Sequence, residues 1–164
     1  MQSHSPAREG TEAGIIGAAS VALWFLMVDS IAGRPFFTPA ILGASLFDLL
    51  GAGFGGRGLF THVAAYTVLH FAAFIAIGMI AAQLMNVLDL KPSWLVGFAT
   101  LFIAFELCVF AVVGLLSRSP LFGNIAWYQL GAANLLAAFL MGRYLWRAHH
   151  PAVDERWVRA LESR

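Results

Sequence analysis

An all-α integral membrane four-helix bundle, with a short outer interfacial or re-entrant helix, is the fold this sequence predicts. Three observations predict it. Four apolar runs, at about 13–32, 63–85, 94–116 and 125–146, are each long enough to cross a bilayer, since twenty residues rising about 1.5 Å each match a hydrocarbon core roughly 30 Å thick. Hydrophobic residues fill 60% of the 164 positions and charged residues only 12%, which excludes an ordinary soluble domain. All six prolines (Pro6, Pro35, Pro39, Pro92, Pro120 and Pro151) fall outside the runs, where they punctuate helices without kinking them.

Residues 1–12 read as a polar N-terminal tail. The first run follows one arginine set against Glu9 and Glu12 and exceeds the length of a usual signal-peptide core. It is therefore expected to be retained, although Ser30-Ile31-Ala32-Gly33 offers small residues at a cleavage-like spacing. Gly14, Ala18 and Ala22 recur every fourth position, which lets a neighbouring helix approach closely. In the long connection that follows, Thr38-Pro39 has the form of a helix start, a hydroxyl N-cap before a proline at the first helical position. Ile41, Leu42, Leu46, Leu49 and Leu50 give that segment an apolar side and Gly51 can end it. A helix over about 39–50 is too short to span, so it is expected at the outer interface or as a re-entrant element.

Gly51 to Gly58 contains a formal match to the G-x-G-x-x-G dinucleotide pattern. No strand precedes it and no βαβ unit surrounds it, so it reads as a hinge or tight turn. The 86–93 and 117–124 connections are short, which makes consecutive helices antiparallel neighbours and leaves no room for an extramembrane domain. The tail over 147–164 is charged, with Trp157, Val158 and Leu161 on one helical face suited to a headgroup surface. Its adjacent His149 and His150 diverge by about 100° on a helix and make a poor metal pair.

Counting basic residues sets the orientation. The side shared by both termini and the 86–93 connection carries Arg8, Lys91, Arg143, Arg147, Arg156, Arg159 and Arg164, against Arg34, Arg57 and Arg118 on the other side. Both termini are therefore expected in the cytoplasm of a bacterium, with the chain in its inner membrane and Lys91, Arg143 and Arg147 near lipid headgroups. The net charge of +1 argues against a nucleic-acid surface. Cys108, the single cysteine, excludes an intrachain disulfide.

The polar residues inside the runs mark where function would lie, because an ionisable group at membrane depth is costly and faces the bundle interior. Counted from the expected outer ends, His70 lies roughly 11 Å deep, Asn134 roughly 14 Å and Glu106 roughly 15 Å, a common layer from three consecutive helices. Asp29, Tyr66 and Gln129 form a shallower layer within roughly 7 Å of the outer interface. His62, Tyr66 and His70 are spaced by four and share one stripe of the second span. Arg34 is expected to cap the first helix and pair with Asp29.

Three uses of the deeper layer fit these residue types. Glu106, His70 and Asn134 can form a hydrogen-bonded clasp that sets helix register. His70 can be the single axial ligand of a haem or chlorophyll-type pigment; no second histidine within a span pairs with it, and the sequence itself requires no cofactor. Glu106, with His70 and Asp29 toward the outside, can serve proton or solute handling in a small homo-oligomeric transporter. Phe98, Leu101, Phe102, Ile103 and Phe105 close the inward path, so a partner or oligomer would complete the route. With no Ser-His-Asp set and no metal-ligand cluster, no enzyme is expected, and an outer-leaflet quinone pocket is the remaining place for lipid-soluble chemistry.

The run Val21 to Leu26, continuing through Gly33-Arg34-Pro35-Phe36-Phe37-Thr38-Pro39-Ala40, resembles the opening of a family of small, uncharacterised bacterial four-helix integral membrane proteins. The resemblance covers about the first quarter of the chain, implies no activity and carries over no functional residue. Small size and the lack of a complete catalytic or transport set point to a non-catalytic accessory or structural subunit of a larger respiratory or photosynthetic membrane complex. Its expected partners are membrane lipids and larger membrane-protein subunits, or further copies of itself.

Overall fold

The computed structural model describes residues 5–51, 58–87, 101–104, 106–108 and 127–149, with 99 and 111. The fold is all-helical. Helix α1 covers Pro6–Ile31, α2 Phe37–Leu49, α3 Leu59–Val87 and α4 Trp127–His149, and the described positions of the third apolar run are helical too. Two of these helices, α1 and α3, are long and apolar enough to cross a membrane. The glycine loop over 52–57, the connections around Lys91 and 117–124, and the tail beyond His149 lie outside the described residues.

Helix α1 starts seven residues before the apolar run. Pro6 sits at the first helical position behind an extended Ser5, and Glu9 occupies the first turn, where an acid complements the positive end of the helix. Residues 6–12 thus form the first turns of a packed helix, with Glu9 and Gly10 buried. The reason is a close crossing with α3. A Cβ on Gly10 would sit 2.5 Å from the Met79 Cα, and one on Gly14 2.5 Å from both the Ile75 Cα and the Phe74 carbonyl oxygen. Only glycine allows two backbones this near, and Gly78 mirrors the arrangement from α3.

Matching Gly10 to Gly78 and Gly14 to Ile75 shows that α1 and α3 are antiparallel. Helix α4 packs on α1 in the same sense, since Tyr144 reaches Glu12 and Met141 fills the space beside Gly17. The buried faces of α1 and α4 use one spacing: Ala13, Gly14, Gly17, Ala18, Val21 and Phe25 on the first, and Ala133, Asn134, Ala137, Ala138, Met141 and Leu145 on the second. Small residues dominate both faces, so the core is built by close helix approach more than by bulky side chains. Ala22, the outer member of the expected small-residue stripe, is exposed instead.

Between α1 and α2 the chain reverses through Gly33 and Phe36, both with positive φ. Helix α2 begins at Phe37, two residues before the expected start, and leans on α3 where Gly43 faces the His62 carbonyl. Thr38 is not its N-cap, for a reason found in the site described next.

Candidate functional site

Three of the buried polar side chains, Asp29, His70 and Asn134, bond to a neighbouring element. Asp29, in the last turns of α1, receives the Thr38 backbone N–H at 2.7 Å on one carboxylate oxygen and the Thr38 hydroxyl at 2.8 Å on the other. A carboxylate at the N-terminal end of α2 satisfies an orphan donor and complements the helix dipole. This frees Thr38 from capping and lets α2 start earlier. Both residues are buried.

Arg34 therefore does not pair with Asp29. Its backbone N–H donates to the Asp29 carbonyl oxygen at 2.9 Å, while its guanidinium lies 3.9 Å over the Phe37 ring. Each oxygen of that carboxylate already accepts a bond from Thr38, and the planar cation finds an aromatic face nearby.

His70 is buried at the α1–α3 interface, and its Nε2 lies 3.1 Å from the Ala18 carbonyl oxygen. A carbonyl only accepts, so Nε2 carries the proton and Nδ1 is the acceptor. The Tyr66 hydroxyl approaches Nδ1 at 3.4 Å, longer than an ordinary bond from a hydroxyl donor. The two rings stack at 5.4 Å, and Phe74 packs on the imidazole at 4.7 Å. His62, lower on the same stripe, faces α2 through Phe47.

Asn134 is buried on α4 and donates through Nδ2 to the Glu106 Oε1 at 3.2 Å. This bond ties α4 to the third apolar run. His70 takes no part in it. Gly17 faces both Phe74 and Met141, so these two residues mark a common level. From it His70 lies one turn away, roughly 6 Å, and Asn134 two turns, roughly 10 Å, toward the same end of the bundle. The structure thus joins two members of the deeper layer and directs the third to α1. Gln129 is half-buried on the first turn of α4 and joins none of these bonds.

At the opposite end Tyr144 donates to Glu12, whose other oxygen receives Arg8 Nε at 2.8 Å. Sequence reading placed Glu12 in a tail and missed this link; a carboxylate between Gly10 and Gly14 of a glycine-rich helical face was the available signal. Arg143 and Arg147 are exposed on the last turns of α4, one turn apart. Cys108 is free and exposed.

Among the described residues, two recesses beside these groups lie at the α2 end. The smaller, about 160 Å³, lies between α1, α3 and the start of α2, lined by Val21, Phe25, Phe36, Val63, Tyr66 and His70 among others. It is below the roughly 300–1,000 Å³ of a drug-sized ligand site. A tetrapyrrole bound to His70 would need space beyond this recess and would use Nδ1, because Nε2 is engaged by Ala18. The larger, about 430 Å³, is a shallow surface hollow beside Arg34, Phe37 and His62. Among the described residues no group of three His, Cys, Asp or Glu side chains is placed to hold a metal ion.

No family model, curated protein or solved structure matches this chain.

Proposed function

We propose that this chain is a non-catalytic, membrane-embedded helical subunit whose interior polar groups are helix tethers. It serves as an accessory or structural component of a larger bacterial inner-membrane complex, of the respiratory or photosynthetic kind. The observation that carries this reading is the use to which the interior polar side chains are put. Asp29 holds α2 to α1, His70 holds α3 to α1, and Asn134 holds α4 to the third run through Glu106. Each bond joins two separate elements, and interhelical bonds of this kind contribute about 0.6–2 kcal/mol.

The outward faces support a lipid or protein surround. Leu23, Met27, Val68, Leu69, Ile80 and Leu84 are all exposed on the two long apolar helices. In water such surface would be an association hazard, whereas in a bilayer it is the ordinary exterior. The excess of basic residues on the side of both termini supports the cytoplasmic placement of the two ends.

Gentle detergent extraction from the native membrane, size separation, absorption spectra and mass spectrometry of the particle test the reading together. A multi-subunit particle containing this chain is the expected result. A homogeneous assembly of this chain alone would overturn the accessory role and favour transport through the Glu106 region.

A further inference from the structure

We propose that the 160 Å³ recess between α1, α3 and the start of α2 binds the ring of a lipid-soluble quinone, with the Tyr66 hydroxyl donating to a ring carbonyl. The inference deepens the membrane-subunit reading and rests on it, because the ligand reaches the site from the bilayer.

Size comes first. A closed apolar cavity of about 150 Å³ holds a single benzene-sized ring, and this recess is of that order. Leu23, 64% exposed, and the exposed Thr67 form part of its rim, so it opens on the apolar outer face between α1 and α3. A tail attached to the ring would leave along that face.

The polar groups of the lining then select the chemistry. Four polar side chains line the recess: Thr38, Tyr66, Thr67 and His70. The Thr38 hydroxyl is given to Asp29 and the Thr67 hydroxyl to the Val63 carbonyl at 2.7 Å. His70 Nε2 is given to Ala18. What remains is the Tyr66 O–H, held only by a 3.4 Å contact to His70 Nδ1, and that Nδ1 itself. The recess therefore presents one loosely held donor beside one acceptor in an apolar surround. A quinone carbonyl takes the donor, and the hydroxyl of the reduced form can donate to Nδ1. A plain hydrocarbon ring uses neither group, and a charged ligand would be left unpaired by this lining.

The test uses the full chain in lipid nanodiscs titrated with a short-tailed benzoquinone, read by quenching of tryptophan fluorescence, with the matching alkylbenzene as competitor. Trp24 neighbours the lining residues Leu23 and Phe25 and is a near reporter. Saturable binding at one quinone per chain is expected, little displaced by the alkylbenzene. Tyr66→Phe keeps the ring and removes the donor, and should weaken binding about tenfold, the equivalent of one ordinary hydrogen bond. Thr67→Val should bind as the parent does, since that hydroxyl is already committed within α3. Ala22→Phe, which puts a ring at the mouth, should abolish binding, with helicity by circular dichroism showing that the variant is folded. Non-saturating quenching, equal affinity in Tyr66→Phe, or full displacement by the alkylbenzene would each overturn the quinone site. Carbonate extraction of native membranes separates the two readings. Release of the chain refutes membrane embedding, whereas retention without quinone binding refutes the site alone.

Discussion

Replacing Gly14 by alanine would place a methyl group where α1 and α3 touch through their backbones. The new Cβ would stand 2.5 Å from the Ile75 Cα and 2.5 Å from the Phe74 carbonyl oxygen. Carbon atoms rest at about 3.5–4.0 Å, so the helices must part by about 1 Å at this point. The obstacle is backbone, and no rotation of a side chain can remove it. Overpacking of this type costs about 1–3 kcal/mol, while alanine recovers about 1 kcal/mol of helix propensity over glycine. With backbone as the obstacle the upper part of that range applies, about 2–3 kcal/mol, and the net expectation is a loss of about 1–2 kcal/mol. Gly131 on α4 supplies the internal reference, because a Cβ there would meet nothing within 4 Å. Gly131→Ala should therefore gain up to about 1 kcal/mol from propensity alone. The same substitution has opposite signs at two sites. Both variants can be compared with the parent by unfolding in mixed micelles of rising denaturing-detergent content, followed by far-ultraviolet circular dichroism. A Gly14→Ala protein as stable as the parent, or one that moves in the same direction as Gly131→Ala, would refute the close crossing.

Four further substitutions, at three positions, address the bonds between elements. Glu106→Gln keeps a carbonyl acceptor for Asn134 and should shift stability by less than about 0.5 kcal/mol, whereas Glu106→Leu strands the Asn134 amide and should lose about 1–2 kcal/mol. Equal losses in the two variants would show that charge, not the hydrogen bond, matters there. Asp29→Ala removes both bonds to Thr38, each of the charge-assisted class, and should cost about 3 kcal/mol or more. It should also speed hydrogen exchange in the first turn of α2, as read by mass spectrometry, and unchanged exchange would contradict the tether. Tyr144→Phe deletes the bond to Glu12 at the partly exposed end of the bundle and should cost about 1 kcal/mol in the same unfolding assay.

The helical class and the main apolar segments were legible in the sequence because helix length and hydropathy are one-dimensional properties. An apolar run with prolines only at its edges has few other ways to satisfy its backbone, and α3 and α4 follow their runs within a few residues. Spacing along a helix axis was legible for the same reason, since each residue adds about 1.5 Å. Depth alone, however, does not say which way a side chain faces or how far one helix slides against the next. His70 and Asn134 counted to similar depths, yet His70 meets the Ala18 carbonyl and Asn134 meets Glu106. Azimuth and register were decided by where backbones could come closest, at Gly10, Gly14 and Gly78, and that contact also drew residues 6–12 into α1. The partner of Asp29 was decided in the same way. Arg34 is nearer in sequence, but the turn through Gly33 and Phe36 carries Thr38 back onto the carboxylate, where it gives one short bond to each oxygen. The sequence by itself determined that this chain forms long apolar helices with a few costly polar groups inside. Only the tertiary structure decided which helices those groups join, because pairing depends on the rotation and register at which small residues let the backbones meet.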